Sequence, residues 1–261
     1  MRMGRRNLLS GGLGGLLAGL FRTSGAKAEQ PGAPGMITID DPRFERFFAA
    51  RSQLWSTIGT VDDDVIAYII SPEFQGAPAW PTTRQAFRVV RPAGSLIIAS
   101  DGLSDLFVDS NMPGPGFECE VYLESPDLAD AEFETIRDSW QFSLIESFAR
   151  NVANWGGIDD QLERLGVISM ELPAPPGLPE RWITPSGNVG ALVNIQVPDR
   201  PTVCQLDEGV TIRLVALTIL LPDETDYVIS GRAAARTELV QRLVSSGTGL
   251  TSPANRRSVL A

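Results

Sequence analysis

The stretch AFRVVRPAGSLIIAS, residues 86–100, constrains the fold of this chain more than any other. Two short apolar runs flank Pro92-Ala93-Gly94, a link that returns the chain antiparallel to itself, whereas a parallel crossover needs about a dozen residues. The next strand, FECEVYLE (117–124), alternates: Phe117, Cys119, Val121 and Leu123 share one face, and Glu118, Glu120, Tyr122 and Glu124 the other. On the apolar face Cys119 reads as a small core residue.

Helical periodicity flanks these strands. Asp41-Pro42 opens a helix with Asp as N-cap, and Phe44, Phe47, Phe48, Arg51, Leu54, Trp55 and Ile58 follow its spacing up to Gly59. Residues 130–154 read as one long helix, with Phe133, Ile136, Trp140, Leu144, Phe148 and Val152 on one face and Gly156-Gly157 closing it. A short helix covers 159–165. VIAYII (65–70) reads as a buried strand, and VISMEL (167–172), GALVNIQV (190–197) and TIRLVALTIL (211–220) as further strands. Five prolines in 172–187 exclude regular structure there, and the P-x-x-P match at Pro176 to Pro179 reads as a stiff loop rather than an SH3 ligand. Pro222-Asp223 starts a helical hairpin that breaks at Gly231 and resumes to Ser245, and the tail 248–261 is irregular. This order predicts an α+β fold, a mixed or mainly antiparallel sheet flanked by helices, rather than a doubly wound one.

Missing residue types bound the chemistry. The sequence has no histidine, and its one lysine is Lys27. Ser-His and Cys-His pairs, histidine metal sites, Ser-Lys dyads and lysine Schiff bases are thereby excluded from the mature domain. The G-x-S-x-G elbow is absent, and Asp62-Asp63-Asp64 lacks the spacing of a calcium loop. No catalytic residue, metal or cofactor is assigned. Carboxylate acid–base chemistry stays open, because 32 acidic residues always bring some pair close. Cys204 reads as near a loop; a bridge to Cys119 stands as the alternative to two free thiols.

The N-terminus reads as a leader. RRNLLSGGLGGLLAG (5–19) fails the dinucleotide pattern, since the third glycine position falls on Leu17. Arg2, Arg5 and Arg6 instead precede a 14-residue weakly apolar stretch, Leu8 to Phe21, and an Ala26-Lys27-Ala28 cleavage site. The expected organisation is a twin-arginine signal peptide (1–28), a linker (29–36) and one domain (37–261), periplasmic or exported. The alternative is a start at Met36 and a cytoplasmic protein. The apolar stretch falls short of the roughly 20 residues of a spanning helix, so no stable membrane anchor is expected. Removing the leader leaves 233 residues and takes the formal net charge from −10 to −15. Such a surface repels nucleic acid and suits a basic partner; it equally serves solubility alone.

LIIASDGLSDLFVD (96–109) followed by GFECEVYLESPD (116–127) resembles the suppressor-of-fused domain family. In that family a strand runs into Gly-Leu-Ser-Asp, an acidic residue comes shortly after, and a Gly-Phe-led strand pairs beside it. Gly102 to Leu106 match the first element, Asp109 the acid, and Gly116-Phe117 the second strand. The likeness continues through LIESFARNV (144–152), ITPSGNVGALVNIQV (183–197), the strand and helical pair of 212–243, and Arg256-Arg257-Ser258-Val259. It covers about residues 40–260. The leader is a departure, because most bacterial members are expected in the cytosol.

The resemblance implies a non-catalytic protein-binding domain. Eukaryotic members restrain a transcription factor by clamping an extended peptide as an added strand, with acidic residues near it. Bacterial members look like immunity or antitoxin-type partners of toxins. On this reading Asp101, Ser104, Asp105, Asp109, Glu118 and Glu120 contact a protein partner, and the strand face of Glu118, Glu120 and Glu124 meets a basic one. Turn chemistry is the alternative: Asp101 fixes its own turn, Gly102 supplies a positive φ, and Ser104 and Asp105 cap the next segment of the chain. The rival functions are a carboxylate-dependent hydrolase of the cell envelope and a structural envelope protein. The oligomeric state is left open.

Overall fold

The expected hairpin forms in the computed structural model, which describes residues 35–261 as one unit, Gly35–Ala261. The expected leader (1–28) and residues 29–34 of the expected linker lie outside the described residues. Strands β1 (Thr60–Ala67), β2 (Ala86–Arg91), β3 (Leu96–Asp101) and β4 (Cys119–Ser125) pair antiparallel in chain order. They are followed by β5 (Ile168–Pro173), β6 (Asn188–Val193), β7 (Val203–Asp207) and β8 (Val210–Leu220). The sheet runs β1-β2-β3-β4-β8-β6-β5, with β7 also beside β8. Only β4 and β8 pair in parallel among these strands. The fold is therefore α+β with a mostly antiparallel mixed sheet. The eleven-residue β8 joins its halves, since Arg213–Ala216 pair with β4 and Leu217–Leu220 with β6.

Both faces of the central strands are covered, which explains their near-continuous apolar sequence. The helices are α1 (Arg43–Ser56), α2 (Phe133–Arg137), α3 (Trp140–Trp155), α4 (Asp159–Leu165) and α5 (Pro222–Ser245). On one face Phe87, Val89, Ile98, Val121 and Leu123 pack with Leu144, Ile145 and Phe148 of α3. On the other, Val90, Ile97, Ala99 and Tyr122 pack with Phe47 and Trp55 of α1 and with Leu239 and Leu243 of α5. Each fully buried large side chain contributes about 1.5–3 kcal/mol.

Several expectations change. VIAYII is not a buried strand: β1 lies at the sheet edge and ends at Ala67, leaving Ile69, Ile70 and Phe74 exposed beyond it. The long helix of 130–154 is two helices, because Ser139 accepts the Phe142 N–H at 3.1 Å and caps a new start. Helix α1 starts at Arg43 with Pro42, rather than Asp41, at the N-cap position, and the Asp41 carboxylate accepts the Arg43 N–H at 2.9 Å. Cys204 is the second residue of β7, next to the loop that precedes it, and packs on the opposite face from Cys119; both thiols are free.

The helical hairpin holds. Arg232, after Gly231, is non-helical (φ 53°, ψ −132°). The Tyr227 hydroxyl donates to Glu238 at 2.6 Å, although a straight helix would separate these residues by roughly 16 Å. The tail is irregular but anchored: Arg256 is buried and pairs with Glu224 at 2.6 Å. Among the described residues no helix is long and apolar enough to cross a membrane.

Candidate functional site

The acidic motif sits where β3 ends. Asp101 is the last residue of β3, and Gly102 turns the chain at φ 147°, a value that suits glycine. The loop after it is stitched to the approach to β4: the Gly116 N–H donates to the Asp105 carbonyl and the Phe117 N–H to the Leu103 carbonyl, each at 2.8 Å. A Cβ at Gly116 would stand 2.6 Å from the Asp105 carbonyl oxygen, so only glycine fits this approach.

Glu120, on β4, faces the same place. Its Oε1 accepts the Gly102 and Ser104 N–H groups at 3.0 and 3.1 Å and the Ser104 hydroxyl at 2.7 Å. Its Oε2 accepts the Ser100 hydroxyl at 2.5 Å, and Ser100 Oγ in turn accepts the Val121 N–H at 2.9 Å. The Glu120 carboxylate thus organises the loop by closing backbone donors that no ladder reaches.

The counter-charges come from α1 and β2. Arg51, buried in mid-helix, donates to Asp101 Oδ1 at 2.7 Å, Ser104 Oγ at 3.0 Å and Asp105 Oδ1 at 2.7 Å, with Glu120 at 3.8 Å. Arg88 and Arg84 both reach Asp101 Oδ2, at 2.8 and 2.5 Å. Arg88 also donates to Ser52, and both guanidiniums lie over the Phe48 ring, at 4.3 Å for Arg88 and 4.6 Å for Arg84. Three guanidiniums face three carboxylates, a balance that lets so many charges be buried.

The titration behaviour comes from this geometry. Burial would raise the Asp101 carboxyl, but Arg51, Arg88 and Arg84 together hold it below its ordinary value. Burial dominates at Asp105 and Glu120 and raises both, against the pull of Arg51. For Arg51 the opposing carboxylates outweigh burial and raise its guanidinium further.

The fold brings Asp101, Ser104, Asp105 and Glu120 together, but inside it: none exceeds 3% exposure. The expected partner contacts at these residues are corrected accordingly, because α1 covers them and Arg51 takes their charge. Glu124 is likewise buried, held by Arg200 at 2.7 Å, so the acidic face of β4 does not meet solvent. Asp109 and Glu118 stand apart, exposed and each at φ 57°. Arg51, Arg84 and Arg88 are site residues that the motif itself does not contain. The signal for them in the sequence is Arg51, a charge within an apolar helical stripe that only buried acids could accommodate.

All four carboxylate oxygens of Asp101 and Glu120 accept protein donors. Among the described residues no group of three or more His, Cys, Asp or Glu could hold a metal ion. Comparison of the chain with protein-family models and with curated proteins finds no match in either.

Proposed function

We propose that this chain is a non-catalytic protein-binding module that sequesters a protein partner. The observation that carries the reading is the outer edge of β1, which among the described residues pairs with β2 alone and leaves a row of backbone donors and acceptors without a strand partner. Ile69, Ile70 and Phe74 lie exposed just beyond it, and Asp63 and Asp64 are exposed along it. An extended segment carrying apolar and basic side chains would find backbone bonds, apolar contact and opposite charge there. The immunity or antitoxin-type role, and export by the twin-arginine route, rest on sequence resemblance and on the N-terminal pattern.

The test is a quantitative comparison of partner recovery by the wild-type chain and by the Ile69→Asp/Ile70→Asp/Phe74→Asp variant. A partner bound by the wild type and weakened about tenfold or more in the variant is expected. Equal recovery by both removes the edge from the reading. Turnover of a glycoside or ester substrate, lost in a folded Asp101→Asn variant, removes the non-catalytic assignment.

A further inference from the structure

The ion network is not sealed on every side. A cavity of about 340 Å³ opens at its mouth, lined by Phe44, Glu45, Phe48, Thr82, Arg84 and Asp105 among others. That size lies at the lower end of small-molecule sites. Asp105 is 3% exposed, and only its Oδ1 is engaged, by Arg51. Its Oδ2 accepts no hydrogen bond among the described residues, and Asp105 lines the cavity with a side chain that is 5% exposed. Arg84 commits one terminal nitrogen to Asp101 and retains its other donors on the same cavity wall. The cavity thus presents a nearly buried acceptor of negative charge beside a guanidinium, with two phenyl rings as an apolar wall.

These charges select the ligand. A plain anion on Arg84 would face Asp105, Glu45 and Asp101, and a plain cation on Asp105 would face Arg84 and Arg51. A molecule carrying both signs a few bonds apart satisfies both walls and leaves the balanced network undisturbed. We propose that this cavity binds a small zwitterion of the α-amino-acid class, its ammonium on Asp105 and Glu45, its carboxylate on Arg84, and its side chain against Phe44 and Phe48. This site is separate from the β1 edge and does not depend on the partner-binding reading.

Isothermal titration calorimetry of the full chain against the common neutral L-amino acids tests it, with the N-acetyl and the amide derivative of any binder as controls. At least one amino acid is expected to bind at millimolar concentration or below, and blocking either terminus is expected to weaken it about tenfold or more. Arg84→Gln is expected to weaken it similarly with an unchanged circular dichroism spectrum, since that side chain is 38% exposed and does not close the core. Exposed Glu45→Gln is expected to produce a smaller loss. Absence of binding by every amino acid, equal binding of a blocked derivative, or binding unaffected by Arg84→Gln each overturns the proposal.

Discussion

The two faces of the central sheet are both buried, yet they are held by different physics. Under α3, Phe87, Ile98, Val121 and Leu123 meet Leu144, Ile145 and Phe148 through apolar contact. Under α1, residues alternating with these bring Arg88, Asp101 and Glu120 against Arg51. Apolar contact tolerates many side chains of suitable volume. The ion network is set within the apolar packing of Phe47, Trp55, Val90 and Ile97 on that face, and its fully buried members depend on keeping their partners, because an orphaned buried charge is strongly unfavourable. Arg51 bonds to a strand end and to two loop residues, so it fixes both how α1 seats and how the motif loop turns.

Arg51→Ala breaks the charged face most severely. It leaves three buried carboxylates without their shared cation, and urea unfolding is expected to show a loss of about 3–5 kcal/mol or no folded protein. Leu144→Ala is the matching change on the apolar face, with an expected cost of about 2–4 kcal/mol from lost burial and a cavity.

Acid titration acts on the charged face alone, with opposite signs at its carboxyls. The folded-state carboxyls of Asp105 and Glu120 are raised, so their contribution is complete below about pH 4 and is lost as pH rises through the raised values. Asp101 runs the other way: its contribution is complete above about pH 4 and is lost as pH falls through its lowered value. The charged face is therefore expected to be most stable in mildly acidic solution. Urea midpoints across this range check it: Glu120→Gln should flatten the decline toward neutrality, whereas Leu144→Ala should lower every midpoint and keep the profile's shape. The smallest effect belongs to Ser52→Ala, which removes one acceptor from Arg88 and is expected to cost about 1 kcal/mol in the same assay.

The same contrast separates legible from illegible features of the sequence. The β2–β3 hairpin, β4, the apolar stripes of α1 and α3, and the break after Gly231 come from local periodicity and turn residues. Strand β7 does not, because VCQLD is short and its pairing is decided by the length of β8. Ile69 and Ile70 look like core and are exposed, since position at the sheet edge is a tertiary property. For the site, the resemblance names six residues, of which Asp101, Ser104, Asp105 and Glu120 meet in space and Asp109 and Glu118 do not. Their direction is not legible, because alternation in FECEVYLE cannot distinguish a face turned to water from one turned to a buried arginine. Asp109 and Glu118 belong to the same short stretches but are exposed, each at a positive φ.

The decisive measurement is a double-mutant cycle between Arg51→Met and Asp101→Asn, read by urea unfolding. A favourable coupling of about 2–3 kcal/mol is expected if the motif's acids hold the fold from within. Additive effects within about 0.5 kcal/mol would contradict that role.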